Sequence, residues 1–413
     1  MSGEIRSRLQ RLRSTGELHG SSSAKPPQPV LRRAFLFPGE ERIEETAAGS
    51  CYLRELRFPL HKYHGNTPLG KLLDCRGSAL ALPAKDQSLT ALNPSRSLFL
   101  DIETTGLSGG TGTWIFLIGL GWVAQDEFIL RQYFLRHPRE EKAMLAHFTG
   151  LMEKYTDVVT FNGRVFDLPL IATRQILTGL IPTKPERHLD LLPCSRRLWK
   201  ERLGSCSLRF LEENLLGFQR HDDIPGWEIP SVYFNYLRRG ETARLRSVFH
   251  HNVLDILSMA ALLTRVAETA AEKELEYPAD YYSLGKLYSE AGETESAIRC
   301  LGRIISCGDR KLEHTALLQL SLIYKRLQRW TEAAALWRKL LERQPHDLTA
   351  YIELAKYYEH KTGEYEKAFA LTSQALQRTR RRNFAPAAGE LSLPALQHRL
   401  SRLQRKLKVS QGE

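Results

Sequence analysis

The sequence places two carboxylates at the end of a predicted buried strand. Asp101 and Glu103 follow directly after the apolar run 98–100. Because alternate residues of a strand point to the same face, the two carboxylates should lie side by side, roughly 6.6 Å apart along the backbone. Such charges repel each other and lose hydration, and no Lys or Arg occurs between Ser97 and Arg131 to compensate them. The pattern predicts a divalent cation site, because Mg²⁺ prefers carboxylate oxygens; a pair of exposed acids at a strand end is the alternative.

Two further acids lie in segments where an ionised carboxylate is again costly to bury. Asp167 follows a short β-branched strand and an Asn-Gly turn, and a helical pattern runs from 168 to 177. An Asp at this point is also an ordinary helix N-cap. Asp255 lies within the largely apolar helical pattern 248–263. An unpaired acid there is expensive, so a metal ion or a tightly bound partner is expected.

These acids lie in three motifs that occur in order along the chain. The motifs are Asp101-Ile102-Glu103-Thr104-Thr105-Gly106-Leu107, then Phe161-Asn162-Gly163 with Phe166-Asp167-Leu168-Pro169, and His250-His251-Asn252-Val253-Leu254-Asp255. Together they resemble the motifs of the ribonuclease H-like DEDD exonucleases. The glycine-rich stretch 104–113 and Ile224-Pro225-Gly226 look most similar to the YprB-like bacterial branch.

The resemblance implies a fold, a reaction and a set of site residues. It implies an α/β ribonuclease H-like mixed sheet with flanking helices, and removal of nucleotides from the 3′ end of DNA or RNA. Two divalent cations, Mg²⁺ or Mn²⁺, would activate water and clamp the scissile phosphate. Their ligands by this resemblance are Asp101, Glu103, Asp167 and Asp255, and the residues contacting substrate are Thr104, Thr105, Gly106, Leu107 and Asn162.

A general base beside the metals should be a histidine, which suits proton transfer near neutral pH. The related enzymes use a His five residues before the last Asp, or a Tyr four residues before it; this chain has His250 and His251 in these positions. On a continuous helix, the i, i+4 spacing places His251 on the Asp255 face. His250 would reach the site only if the helix began after it, so His251 is slightly favoured.

Other polar clusters have weaker interpretations. The glycine loop 108–112 could present clustered N–H groups to a phosphate, but it lacks the Lys-Ser/Thr of a P-loop and is expected to be a flexible connection. The cluster His221-Asp222-Asp223 is expected to be solvated. Asp190, after a short strand-like segment, could support the site or lie at an edge.

Composition favours a polyanionic partner and a reducing compartment. The 413 residues carry a formal net charge of +12, which favours nucleic acid as a partner. The six cysteines form no CxxC pair, so no disulfide framework or zinc site is expected and a cytoplasmic location is the natural interpretation. No signal peptide and no apolar run of membrane-spanning length is found, so no membrane association is expected.

The chain is expected to contain several units. Residues 1–30 are read as a short basic helix, over 3–13, and a polar linker, and residues 31–96 as an N-terminal extension with a strand-like piece at 51–58. The exonuclease domain is placed at 97–268. Its predicted elements are strands at 97–103, 114–123 and 127–135 in an antiparallel meander, a helix near 140–154 and a strand at 158–161, followed by parallel strand–helix alternation.

The sequence pattern changes beyond residue 275. Tyr288, Tyr324 and Tyr358 recur at about the tetratricopeptide period within residues 276–378. Such arrays bind peptides or proteins, although a helical bundle that braces the nuclease is an equal alternative. Residues 379–413 form a basic tail and a helix with a leucine stripe, whose charges could follow a nucleic-acid backbone or be solvated.

Two other functions fit the sequence less well. A ribonuclease H-like endonuclease would keep the fold and the metals but cut internally. A non-enzymatic adaptor would act through the repeats, and the complete set of four acids argues against it.

Overall fold

The computed structural model describes residues 39–106, 110–273, 275–381 and 392–410. The predicted basic helix at 3–13, its linker and the substrate-contact candidate Leu107 lie outside these residues.

A seven-stranded mixed sheet forms the centre of the first domain, with the strand order β1-β2-β7-β6-β5-β8-β9. Its members are β1 Glu40–Thr46, β2 Gly49–Pro59, β5 Leu98–Thr104, β6 Ile115–Ala124, β7 Glu127–Phe134, β8 Asp157–Thr160 and β9 Arg187–Asp190. The two short strands β3 Tyr63–His64 and β4 Thr67–Pro68 form a separate hairpin.

The predicted meander is confirmed. Strands β5, β6 and β7 pair antiparallel, and each begins and ends within one residue of its predicted position. Strands β8 and β9 then add parallel pairs beside β5. Strand β5 therefore lies inside the sheet, as the resemblance implied. On the other side, β1 and β2 extend the sheet past β7.

The helices pack on both faces of this sheet and continue into an all-helical region. They are α1 Gly77–Ala84, α2 Glu141–Met152, α3 Asp167–Leu177, α4 Leu191–Leu203, α5 Ile229–Arg239, α6 Leu245–Ala270, α7 Pro278–Ala291, α8 Thr294–Cys307, α9 Arg310–Arg326, α10 Trp330–Arg343, α11 Leu348–Tyr357, α12 Tyr365–Arg381 and α13 Leu393–Ser410.

Strand β5 presents alternate residues to two different cores. Leu98, Leu100 and Ile102 pack with α2 and α3, whereas Phe99 packs with α4 and with most of α6. Because side chains alternate along a strand, Asp101 shares the Phe99 face. The carboxylates at the end of β5 therefore point toward α4 and α6.

Helix α6 approaches the sheet closely over two glycines of β6. Gly119 is the partner of Asp101 in the β5–β6 pairing. A Cβ atom at Gly119 would lie 2.1 Å from Oδ1 of Asn252, and one at Gly121 would lie 2.6 Å from Cγ2 of Ile256. Both distances are far below van der Waals contact, so this close approach of α6 requires glycine at these positions.

The helical region consists of antiparallel pairs of helices, as in tetratricopeptide arrays. Helices α7 to α12 bury alternating small and large side chains between successive pairs, including Ala297, Ala333 and Trp337. Helix α13 then covers the last pair, with Leu396 and Leu403 buried against it.

Part of the charge on α13 has a structural role. The fully buried Glu359 accepts hydrogen bonds from Arg399, Arg402 and Lys406, at 2.8–3.0 Å. These three cations are therefore committed to an internal carboxylate. Arg402 and Lys406 keep 36% and 35% side-chain exposure, so they also match the predicted solvated face, whereas their pairing with Glu359 was not predicted. Contact with a nucleic-acid backbone stays a prediction.

Helix α7, the first of the helical region, shares a core with the domain of the seven-stranded sheet. Leu284 and Leu287 of α7 belong to the same buried cluster as Leu198 and Trp199 of α4. Across this junction the Arg202 side chain donates a hydrogen bond to Asp280, with an Nε–Oδ1 distance of 2.9 Å. The two domains are thus joined by apolar packing and by an ion pair.

No helix in the described part of the chain is long and apolar enough to cross a membrane.

Candidate active site

Two acids, Asp101 and Glu103, lie at the end of β5, where their negative charges repel each other. Both residues are half-buried. Burial is the main reason why the pKa of the Asp101 carboxyl lies well above its usual range, and the charges of Asp255 and Asp167 add to it. The pKa of Glu103 is raised in the same way, first by burial and then by the charge of Asp101. The site therefore concentrates negative charge that needs a compensating cation.

The second motif contributes a buried carboxylate. Asp167 is the first residue of α3, is 5% exposed, and does not cap the helix, because Phe166 occupies the N-cap position. Burial raises the pKa of Asp167 to about 7, opposed by backbone hydrogen bonds from Asp167 itself and Ile102 and supported by the charge of Asp190. The N-cap alternative does not describe this residue.

The third motif places Asp255 on α6, facing the end of β5. Glu103, His251 and Asp255 each offer a ligand atom within 4.8 Å of the other two. Nε2 of His251 lies 3.4 Å from Oδ2 of Asp255, one helical turn away. The structure thus brings together residues from β5, α3 and α6 that are up to 154 positions apart in the sequence, counting from Asp101 to Asp255.

The two candidate histidines point to different places. Nδ1 of His251 lies 2.8 Å from Oδ1 of Asp223, and His251 lines the same cleft as Asp101 and Asp255. Burial lowers the pKa of His251, but the hydrogen bond to Asp223 and the charge of Asp255 outweigh it, so the pKa is raised overall. His250 is exposed and lines another cavity, with His64.

A buried arginine missed by the sequence reasoning lies beside the third acid. The Arg220 side chain is 3% exposed, and it forms ion pairs with Glu212 at 2.5 Å, with Asp223 at 3.1 Å and with Asp255. Asp223 was expected to be solvated, and that expectation is wrong: its side chain is 4% exposed and held by Arg220 and His251. The loop sequence does not indicate the contacts with α6, because Asp255 lies 35 residues after Arg220 and His251 lies 28 residues after Asp223.

Asp101 is also supported from the interior. The fully buried Asn252 donates from Nδ2 to Oδ2 of Asp101 at 2.7 Å. Its Oδ1 accepts from Nε2 of Gln132 at 2.8 Å, and Oε1 of Gln132 accepts from Arg54 at 2.9 Å. Asn252 is three residues before Asp255, so helical spacing alone places both on one face and was the available signal.

Three of the predicted substrate-contact residues, Thr104, Thr105 and Gly106, lie at the end of β5 and directly after it. The Thr104 hydroxyl donates to the Gly106 carbonyl at 2.8 Å, and the Thr105 hydroxyl accepts from the backbone N–H of Trp114 at 2.9 Å. The buried Arg174 donates to the Thr111 carbonyl at 3.0 Å and so holds the far side of the glycine loop. These contacts shape the loop, and substrate binding by these residues stays a prediction.

Asn162 lies at the edge of the cleft in a left-handed conformation, with φ of 67°. Its backbone N–H donates to Oδ1 of Asp190 at 2.8 Å, and the N–H of Arg164 donates to Oδ2 at 3.1 Å. Asp190 also caps α4. Asp190 ends the edge strand β9 and also fixes the turn that carries Asn162, so both of its expected positions apply.

The cleft has a volume of about 750 Å³ and carries both signs of charge. Asp101, Asp223 and Asp255 line it together with Arg196, Lys200 and Arg209. Trp227, next to the lining residue Gly226, is 73% exposed. An anionic polymer that enters the cleft would therefore meet both cations and acids.

The donor set fits hard divalent cations. Mg²⁺ and Mn²⁺ bind carboxylate oxygens and accept imidazole or water in the remaining positions. The repelling acids Asp101, Glu103 and Asp167 have the raised pKa values expected where such a charge is needed.

Comparisons with known proteins agree with this fold. Residues 98–267 match the model of the RNase_H superfamily, and residues 315–347 match a tetratricopeptide repeat. The chain therefore contains a domain of the RNase H superfamily followed by tetratricopeptide structure. It belongs to the same family as the protein named "Uncharacterized protein YprB" of Bacillus subtilis (strain 168), to which it is 35% identical over 371 residues, covering 86% of each chain.

A weaker likeness concerns a solved structure, the family B DNA polymerase from Pyrobaculum calidifontis. The TM-score is 0.33 at 14% identity, over 47% of this chain and 29% of the polymerase chain. A similarity of this size supports no conclusion about the site.

Proposed function

We propose that the protein is a metal-dependent 3′→5′ exonuclease that hydrolyses phosphodiester bonds. One observation carries the proposal: Asp101, Glu103, Asp167 and Asp255 converge on one site beside His251. A scaffold would gain nothing from four mutually repelling carboxylates, whereas phosphoryl chemistry requires them.

The four acids are proposed to hold two divalent cations, Mg²⁺ or Mn²⁺. Such cations, when bound, hold the scissile phosphate and lower the pKa of the attacking water. Asn252 and Arg220 have supporting roles in this proposal. Asn252 fixes the Asp101 carboxylate, and Arg220 keeps Asp255 in place while offsetting part of the negative charge.

His251 is proposed as the general base. Burial raises the pKa of Asp223, but the contacts with His251 and Arg220 outweigh it and lower the pKa overall, so Asp223 is an ionised acceptor. Nδ1–H of His251 therefore donates to Asp223, which leaves the Nε2 lone pair directed at the acids. A proton from water can be received at Nε2 and stabilised there by Asp223.

The substrate is proposed to be a single strand of nucleic acid with its 3′ end at the acids. The basic cleft supports an anionic polymer, and the exposed Trp227 offers a surface on which a base can stack. The choice of a 3′ end rests on the motif resemblance. The helical repeats are proposed to recruit a protein partner or to guide the substrate.

The test compares wild type with Asp101→Asn on 5′-labelled single-stranded DNA and RNA in Mn²⁺. We expect a ladder that shortens from the 3′ end with wild type and no products with the variant or with EDTA. Asp222→Asn, at a neighbouring exposed acid, is the matched control and should behave as wild type.

A circular single strand separates exonuclease from endonuclease. It should survive under conditions in which the linear strand is degraded, since it has no end. Cleavage of the circle would replace the exonuclease by an endonuclease on the same metal site. No cleavage of any substrate, together with no Mn²⁺ binding by calorimetry, would contradict both.

A further inference from the structure

The exposed face of α4 connects the cleft with a second groove. Arg196 and Lys200 are four residues apart, so they lie on the same side of the helix. Both line the cleft that contains Asp101, and both also line a groove of about 440 Å³ between α4 and α7. The two depressions are therefore adjacent, with these two cations lining both.

The second groove is strongly basic. Five cations line it against two carboxylates, Glu201 and Glu290. Lys85 is paired with Glu290 at 2.7 Å, and Arg197 donates to the Pro83 carbonyl at 2.7 Å. The remaining three, which form no ion pair with the described residues, are Arg196, Lys200 and Lys286.

The unpaired cations come from both domains. Arg196 and Lys200 belong to α4 of the nuclease-like domain, and Lys286 belongs to α7, the first helix of the repeats. The two helices are fixed to each other by the shared core and by the Arg202–Asp280 pair. The spacing of the three cations is thus set by the fold, as a binding surface requires.

We propose that Arg196, Lys200 and Lys286 form a track for the phosphate backbone of the single strand whose 3′ end lies at Asp101. The track deepens the proposed function and rests on it for the direction of the strand. It gives the first repeat helix a role in holding substrate: the strand leaves the cleft along α4 and passes over the junction with α7. A strand long enough to reach α7 would gain contacts that a short one cannot make.

Nucleic acid fits this surface better than an acidic peptide does. The track leads to the acids proposed to hold two divalent cations, and such a site suits a phosphodiester. An acidic peptide has no phosphodiester to place there. Unpaired cations on a fixed spacing bind phosphates by releasing counterions, so the affinity should depend steeply on salt.

The experiment measures the salt dependence of binding. Full-length protein carrying Asp101→Asn, to prevent cleavage, is titrated with 5′-fluorescein single strands in Mn²⁺ at several NaCl concentrations, and anisotropy is recorded. The triple change Arg196→Glu, Lys200→Glu and Lys286→Glu should reduce the slope of log affinity against log salt by about 2 for a long strand, since each phosphate contact on a single strand contributes about 0.7. Lys286→Glu alone changes a cation that lines the groove and not the cleft. It should reduce the slope by about 0.7 for a long strand and leave the slope for a tetranucleotide confined to the cleft unchanged.

A second triple variant controls for net charge. Arg139→Glu, Lys142→Glu and Lys154→Glu change the same number of exposed charges on the α2 side of the sheet, away from α4. These changes should leave the slope for the long strand close to that of the parent protein. Equal slopes for the track and control variants would show that the three track cations do not bind the strand. Track-dependent binding that is tighter for a duplex than for a single strand would show that the ligand of the track is not a single strand.

Two further measurements separate the loss of positive charge from misfolding, and the track from the proposed nuclease activity. The Gln versions of the three track changes should show the same loss of slope, which separates charge removal from repulsion or misfolding. With Asp101 intact, Lys286→Gln alone, a change in the groove and outside the cleft, should hydrolyse a tetranucleotide at the wild-type rate and show a raised KM for a long strand. If wild type hydrolyses nothing but the salt slope still depends on the track, the track stands and the proposed nuclease fails.

Discussion

Nδ2 of Asn252 lies 2.7 Å from Oδ2 of Asp101 and donates a hydrogen bond to it. Asn252 is itself held by Gln132, so the orientation of the carboxylate is determined from inside the protein. Replacing Asn252 by Ala should lower both the Mn²⁺ affinity and the nuclease rate by about 10–100-fold, as for other residues that support metal ligands. Calorimetry with Mn²⁺ and the strand-shortening assay measure the two effects. Asn214→Ala, at an exposed position, should change neither; full Mn²⁺ affinity in Asn252→Ala would contradict the role.

Gly119 provides the space in which Asn252 reaches Asp101. A Cβ at this position would lie 2.1 Å from Oδ1 of Asn252 and 2.5 Å from Cδ1 of Ile256. Gly119→Ala should therefore destabilise the fold by about 1–3 kcal/mol, because the added methyl forces α6 away from the sheet. Gly150→Ala is the matched control, since a Cβ there meets nothing within 4 Å, and it should stabilise by up to about 1 kcal/mol. Urea unfolding gives both values, and equal stabilities would refute the close-approach argument.

Asp101 should reduce stability when no metal is bound. Its raised pKa means that the folded state holds the proton more tightly than the unfolded state, so ionisation at neutral pH costs folding free energy. Asp101→Asn should raise the unfolding free energy in EDTA by about 0.5–2 kcal/mol, a typical gain when a functional site is removed. Thermal unfolding should also show that Mn²⁺ stabilises wild type more than this variant. If Asp101→Asn were less stable than wild type in EDTA, the claim that the ionised Asp101 carboxylate destabilises the metal-free protein would be refuted.

The adjacent histidines provide a direct test of the general base. His251→Gln should lower the rate by about 10²–10⁴-fold, because Nε2 no longer accepts the proton. His250→Gln, at the exposed neighbouring position, should leave the rate nearly unchanged. Single-turnover rates of both variants, measured across pH in Mn²⁺, show which of the two histidines is the general base. The reverse order of effects would assign the base to His250.

His64 makes the fold sensitive to acid. Burial, followed by the charges of Arg220 and Lys62, lowers the pKa of His64 to about 3. Between the unfolded pKa near 6.5 and this value, the unfolded chain binds a proton that the folded protein excludes, so stability falls as pH falls. From about pH 6 to pH 4, wild type should lose up to about 1.4 kcal/mol per pH unit more than His64→Gln. Urea unfolding at several pH values measures this, and parallel pH profiles would show that His64 is protonated in the fold.

Much of the sheet could be predicted from the sequence, because the signals that mark its central strands lie within each strand and its adjoining links. Strands β5 to β7 are marked by apolar runs and short links, which appear directly in the chain. Strand β1 was missed because Ile43 is its one strongly apolar residue. Its position is set by hydrogen bonds to β2, and these leave no periodic signal in the sequence.

The acids of the site could be predicted because isolated carboxylates in apolar segments are costly. Their supporting residues could not. Arg220 and Asp223 lie in a polar loop that resembles any solvated loop, and their burial depends on contacts with Glu212 and with residues of α6. The ion pairs of Glu359 could not be predicted either, because its three cationic partners are 40 or more residues away.

The shared core of α4 and α7 limits how this protein can be divided or recombined. Ending the chain near residue 275 would uncover Leu198 and Trp199, which Leu284 and Leu287 now shield from water. The truncated domain would then present an apolar surface suited to aggregation. The sheet domain and the repeats are therefore expected to be most soluble as one piece, and a different repeat array would need a matching apolar surface on its first helix.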